Sequence, residues 1–183
     1  MKHTTVLLFV LLHVCISAPV HAQVKPGDQA PDFGQPELFP TDGKTSTLWV
    51  SDFVGPDAPA KTKRKALLIS FCASYCKPCW KELPFLLKLK DDFGAIGLEV
   101  WSVLADREPD GLEAGRRKLA AARGKLLMTR TGSRAMGNKY MGSQWEMPAL
   151  YLIDSTGKIK MVLQGLDQGR LGKLRKVIEG MLD

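Results

Sequence analysis

The chain has 183 residues with a formal net charge of +7, 45% hydrophobic residues, four cysteines and three histidines. That length carries a substantial core, and no internal repeat or low-complexity tract points to a fibrous or disordered chain. All three histidines (His3, His13, His21) precede residue 23, so metal sites and catalytic schemes that need imidazole are disfavoured if that segment is removed.

Met1 to Ala22 reads as such a segment. One lysine precedes an apolar run from Val6 to Leu12 that continues to Ile16, and Val20-His21-Ala22 has the small-residue spacing of a cleavage site. The expectation is export with cleavage after Ala22, or membrane anchoring if the segment is retained. The run is short for a span, which takes about 20 apolar residues, and His13 breaks it. Residues 23–183 then form the mature chain, with 25 basic and 19 acidic residues, a charge of +6, and the cysteines Cys72, Cys76 and Cys79. The basic run Lys61-Thr62-Lys63-Arg64-Lys65 reads as a solvated loop, since nucleic-acid binding conflicts with export. An exported chain meets an oxidising compartment, where disulfides persist.

In chain order, Gln23 to Asp32 is an irregular lead-in. Phe33 to Pro40 and Ser46 to Val50 flank Thr41-Asp42-Gly43-Lys44, and Asp-Gly predicts a hairpin. After a Pro, Ala and Lys loop, Ala66 to Phe71 is an uninterrupted apolar run, as in a strand covered on both faces. Cys76-Lys77-Pro78-Cys79 follows, then apolar residues at helical spacing (Leu83, Leu86, Leu87, Phe93), with Pro84 expected to kink the helix and Gly94 to stop it. Leu98 to Leu104 predicts a strand, Pro109 to Arg123 a helix ending at Gly124, Leu126 to Thr129 a strand and Ser133 to Met141 a helix. Ala149 to Ile153 and Ile159 to Gln164 predict a hairpin across Ser155-Thr156-Gly157, and Arg170 to Leu182 a final helix. The order predicts one α/β domain over residues 23–183, with a mixed central sheet and helices on both faces.

The chemistry concentrates at Cys76 and Cys79. A helix N-terminus carries unpaired N–H groups and positive partial charge, which favours a thiolate at Cys76. Cys76 is expected to attack a disulfide and Cys79, one turn into the helix, to resolve the mixed disulfide. A zinc site needs four ligands, and only Cys72 is left to help, so no metal and no cofactor beyond a redox-active Cys76–Cys79 disulfide is expected.

The segment SFCASYCKPCWKELP resembles the active-site segment of the thioredoxin-like superfamily, and specifically exported thiol-disulfide oxidoreductases of the TlpA/ResA type. The lead-in PGDQAPDF, the DGK turn with Ser51-Asp52-Phe53, and EMPALYLIDSTGKI extend the resemblance over most of residues 23–183. It implies a thioredoxin-like fold with an N-terminal β-hairpin extension. It implies, too, that Met147-Pro148 forms a cis peptide opposite the dithiol, where the backbone pairs with substrate, and that Glu82 takes part in proton transfer at the cysteines. Two readings of Glu82 are open, the second being an ordinary acidic residue early in a helix. Lys77 is either a nearby charge favouring the thiolate or an exposed lysine, and Tyr75, where the family usually has Trp, contributes surface for substrate.

Ser70 stands where many thioredoxins have a buried Asp, so that role is absent or passes to Glu82. Cys72 is either a small buried hydrophobe or a third thiol able to pair with Cys76 or hold a soft metal. The implied partners are protein disulfides, such as those of apocytochrome c or copper-site maturation, and a membrane thiol reductase of the DsbD/CcdA kind as electron donor. A periplasmic monomer that binds no nucleic acid is expected. Two alternatives are a peroxiredoxin-like peroxidase and a thiol-based copper chaperone. The first lacks its Thr-x-x-Cys motif, since Ala73 and Ile69 stand three before Cys76 and Cys72. The second lacks histidine in the mature chain.

Overall fold

A computed structural model describes residues 23–40, 44, 46–123, 125–130, 134–143 and 145–183. The expected leader, the Asp42-Gly43 turn and Gly124 lie outside the described residues. The strands are β1 (Gly34–Pro36), β2 (Thr47–Trp49), β3 (Ala66–Cys72), β4 (Leu98–Leu104), β5 (Leu127–Arg130), β6 (Ala149–Asp154) and β7 (Ile159–Gln164). The helices are α1 (Lys77–Phe93), α2 (Pro109–Leu119), α3 (Arg134–Met141) and α4 (Gln168–Leu182).

Five strands form one mixed sheet in the order β5-β4-β3-β6-β7. Strands β3, β4 and β5 run parallel through helical crossovers, whereas β6 and β7 are antiparallel to their neighbours. Strand β3 is central and buried along its whole length, which is what its unbroken apolar run requires. Its side chains alternate between two cores. Ala66, Leu68 and Cys72 join Leu86 and Leu89 of α1, Leu119 of α2 and Leu174 and Ile178 of α4. Leu67, Ile69 and Phe71 meet Trp101, Tyr140, Tyr151 and the lead-in residues Phe33, Phe53 and Val54 on the opposite face. The helices therefore cover both faces, three on one and α3 with the N-terminal segment on the other.

The N-terminal hairpin pairs β1 with β2 in an antiparallel register. It is shorter than the apolar stretches around it suggest: Glu37 N–H still donates to the Ser46 carbonyl, but Glu37 also bridges to Thr129 and Leu38 N–H donates to the Met128 carbonyl. The segment after β1 thus covers the exposed edge of β5, a standard protection for an edge strand. At the other edge, Asp154 closes the β6–β7 turn by accepting from the Thr156 and Lys158 backbone and the Thr156 hydroxyl, and Gly157 turns with φ +86°.

Helix α1 ends at Phe93 with Gly94 as its C-cap, as expected, but Gly94 keeps right-handed geometry, a single 3-10 turn runs over Gly94–Ile96, and the reversal of the chain falls at Gly97, whose φ of +122° suits a residue without Cβ. Two expectations are corrected. The buried stripe of α1 is Cys79, Glu82, Leu86, Leu89 and Phe93, with Leu83 and Leu87 only half-buried, and the helix continues through the exposed Pro84. Helix α2 ends at Leu119, and Ala120–Ala122 form a 3-10 turn.

Candidate functional site

The site lies where β3 ends and α1 begins. The backbone turns between them through Ala73 to Cys76, closed by a Cys76 N–H bond to the Ala73 carbonyl of 3.0 Å. Cys76 is the N-cap of α1, Pro78 sits in its first turn, and no acidic residue there neutralises the positive end of the helix. Cys76 and Cys79 form a disulfide with Cα atoms 5.3 Å apart, and the Cys79 N–H donates to Cys76 Sγ at 3.2 Å. An N–H aimed at the sulfur and the positive end of a helix are surroundings that stabilise a thiolate. The two cysteines are almost equally covered, at 6% and 4% exposure, so depth alone does not separate attacker from resolver. Cys76, with Tyr75, Lys77, Pro78, Trp145 and Met147, lines an open cleft of about 390 Å³.

The Met147–Pro148 peptide is cis, as the resemblance implies, and Met147 enters the cleft beside Cys76 while the Pro148 carbonyl accepts from Gly165 N–H at 2.9 Å. Tyr75 projects into solvent, 74% exposed, and Lys77 is exposed beside it. Trp145, which the sequence reading passed over, completes the wall. Its signal was available, as an aromatic two residues before a Met-Pro pair.

Beneath the rim lies a buried polar set. Glu82 is 1% exposed, three residues beyond Cys79 on the same face of α1. Its Oε1 accepts a 3.2 Å hydrogen bond from Ser70 Oγ, and its Oε2 has no partner. Burial pushes its carboxyl up to about 7, with the Ser70 bond pulling slightly the other way. Ser70, at the position where many thioredoxins have Asp, thus meets Glu82 through that hydrogen bond. Cys72 is a buried free thiol 3.5 Å from Ser102 Oγ. Burial pushes it up to about 12, which favours the protonated thiol at neutral pH. Among the described residues no cluster of three or more His, Cys, Asp or Glu is placed to hold a metal ion.

A mixed sheet with β3 at its centre, a dithiol capping the following helix and a cis-proline segment facing it define a thioredoxin-like fold. Solved structures agree. A crystal structure assigned to thiol:disulfide interchange protein DsbE from Chlorobium tepidum superposes with a TM-score of 0.67 at 23% identity, covering 88% of this chain and 100% of that one. The thioredoxin domain of a thiol-disulfide oxidoreductase from Bacteroides vulgatus gives 0.65 at 21% identity, covering 88% and 100%. The chain belongs to the AhpC/TSA family, whose profile matches residues 26–162. A stretch of 80 residues is 31% identical to thiol-disulfide oxidoreductase ResA of Oceanobacillus iheyensis, a match spanning 44% of this chain and 36% of that protein.

Proposed function

We propose that the protein is a thiol-disulfide oxidoreductase that reduces particular protein disulfides. The observation that carries this reading is the Cys76–Cys79 disulfide at the N-terminus of α1, opening on a cleft walled by Met147 and Trp145. In the reduced protein the Cys76 thiolate attacks one sulfur of a substrate disulfide, and the substrate's second sulfur leaves as a thiolate. Cys79, deprotonated, then attacks Cys76 Sγ, which releases the second substrate thiolate and forms the Cys76–Cys79 disulfide. Two electrons pass to substrate, and a membrane thiol reductase returns them. Glu82, which changes charge near neutrality beside Cys79, takes the proton that Cys79 gives up, since a catalytic base works best with a pKa near the operating pH.

The substrates fitting this role are cysteine pairs of apocytochrome c or of copper sites under assembly. The protein acts outside the cytoplasm as a single-domain monomer once Met1 to Ala22 is removed, and no helix of the described residues is long and apolar enough to cross a membrane. It needs no metal or cofactor besides its own dithiol. Membership of the AhpC/TSA family favours a peroxidase as second reading. Against it stand Ala73 and Ile69, where a Thr three before a peroxidatic cysteine belongs, and the buried, protonated Cys72, which is as poor a copper ligand as it is a nucleophile.

The test is thiol exchange with a protein disulfide. Cys76→Ser abolishes it, and Cys79→Ser accumulates a mixed disulfide through Cys76; turnover retained in both variants sinks the reading. A reduction potential near about −270 mV supports a reductant, whereas one near about −120 mV reverses the direction to oxidation.

A further inference from the structure

One residue in the turn before the dithiol is held far more firmly than its place in a loop requires. All three polar groups of Ser74 are bound, each by a residue distant in sequence. Its N–H donates to Asp106 Oδ2 at 2.7 Å and its hydroxyl to Asp106 Oδ1 at 2.6 Å. Its carbonyl accepts from Lys118 Nζ at 2.7 Å and from Trp80 Nε1 at 3.1 Å, and that same ammonium sits 5.0 Å above the Trp80 ring. Asp106 is 7% exposed, in the loop after β4, and Gly111 in the first turn of α2 packs so closely that a Cβ there would lie 2.7 Å from Asp106 Oδ1. Two residues beyond Ser74, in the same turn, stands Cys76, the attacking cysteine of the proposed function.

We propose that Asp106 and Lys118 are positioning residues for this dithiol, fixing Ser74 from the β4–α2 side so that Cys76 stays on the axis of α1. The inference rests on the reading of Cys76 as the attacking thiol. In the disulfide form the covalent bond holds Cys76 against the first turn. In the reduced and mixed-disulfide forms that bond is gone, and Cys79 must still reach Cys76 Sγ. The clamp supplies the missing constraint: ionised partners make its bonds shorter and stronger than neutral ones, and preorganised geometry is worth most when two groups must meet. The charged groups flanking the turn are Lys77 on α1, Arg107 and Glu108 beside Asp106, Lys118 on α2 and Glu82 beneath.

Positioning and bare charge predict opposite signs. A carboxylate near a thiolate disfavours it, so removing the Asp106 charge alone speeds alkylation of reduced Cys76. Losing the clamp lets Cys76 leave the helix end and slows it. The experiment is iodoacetamide labelling of the reduced full chain at pH 7, mapped by mass spectrometry. Asp106→Ala is expected to label Cys76 about fivefold more slowly, the size of a helix-terminus contribution. Asp106→Asn, whose amide oxygen accepts from Ser74 N–H and whose amide N–H donates to Ser74 Oγ, stays within about twofold of the parent. Faster labelling in both variants, or an unchanged rate in Asp106→Ala, overturns the inference. If Asp106→Ala does not fold, Ser74→Ala and Lys118→Met each remove one side of the clamp, and unchanged rates in both overturn it equally. Labelling at Cys79 in the parent protein overturns the attacking-cysteine reading, and the inference with it.

Discussion

Helix α1 packs against two buried glutamates, Glu82 on its own face and Glu99 on β4, and they are buried to a similar degree, at 1% and 5% exposure. Glu99 receives Lys90 of α1, Arg64 of the loop before β3 and its own neighbour's N–H from Val100. Glu82 receives one neutral hydroxyl and leaves an oxygen bare. The same side chain is thus an ion-pair anchor in one place and, on the function proposed above, a proton carrier in the other: cations meet Glu99, whereas burial with no cation beside it pushes the Glu82 carboxyl up to about 7. The difference teaches that what is withheld from Glu82 decides its charge: a cation placed beside it would lower its pKa and, on the proposed reading, remove the proton transfer.

The largest expected effect separates the two by pH. The folded pKa of Glu82 is raised from about 4.5 to about 7, so the folded state holds a proton that the unfolded chain has lost across that window. Stability therefore falls as pH rises from 4.5 to 7, by about 3 kcal/mol. Glu82→Gln removes that slope, and urea unfolding at pH 4.5 and 8 should show the variant gaining on the parent only at the higher pH. Glu99→Gln, by contrast, should cost about 2 kcal/mol at pH 8, where Glu82→Gln gains, below the full value of a buried pair because Arg64 and Lys90 keep 31% and 25% of their side-chain surface in water. Changes of the same sign in the two variants at pH 8 would erase the distinction.

Cys72 sharpens the same contrast from the Glu82 side of the sheet. Cys72→Ala should cost about 1 kcal/mol through the small void it leaves, with exchange at the dithiol unchanged, and the parent Cys72 should resist alkylation until the protein unfolds. Alkylation of native Cys72 would show that burial does not silence it. The smallest effect is expected from Ser70→Ala. Losing the hydroxyl that favours the ionised carboxyl moves the Glu82 midpoint upward, by about 0.5 kcal/mol, as for an ordinary neutral hydrogen bond, and a downward shift would mean that Ser70 serves the protonated form instead.

What could be read in the chain was what is local in it. The apolar run into Cys76, Pro78 at a helix start and the periodic leucines sit within one stretch, so β3, α1 and the dithiol were legible without a partner in view. The Met147–Pro148 segment was legible only through resemblance, since a lone proline before a strand carries no mark of its isomer. Glu82 falls at the helical period of Leu86 and Leu89, yet a charged residue at a core position reads as surface by default. Gly94 and Gly97 both announce a helix end, and which one turns the chain depends on how β4 enters the sheet. The clamp on Ser74 was out of reach altogether. Its partner is 32 residues away, and the two meet only because Cys72 and Leu104 lie side by side in the β3–β4 register, which places Ser74 and Asp106 two steps beyond it.

That meeting has a consequence for how the molecule breathes. Strand β3 is hydrogen-bonded on both sides, to β4 and to β6, and its amides should exchange with deuterium only on global opening. Surface-loop amides normally exchange within the dead time of such an experiment. The Ser74 amide sits in a loop beside the exposed Tyr75, yet its acceptor is a carboxylate shut away from water. It should keep its proton alongside the sheet, so the boundary of the slowly exchanging core falls past the end of β3, one residue short of the solvent-facing Tyr75.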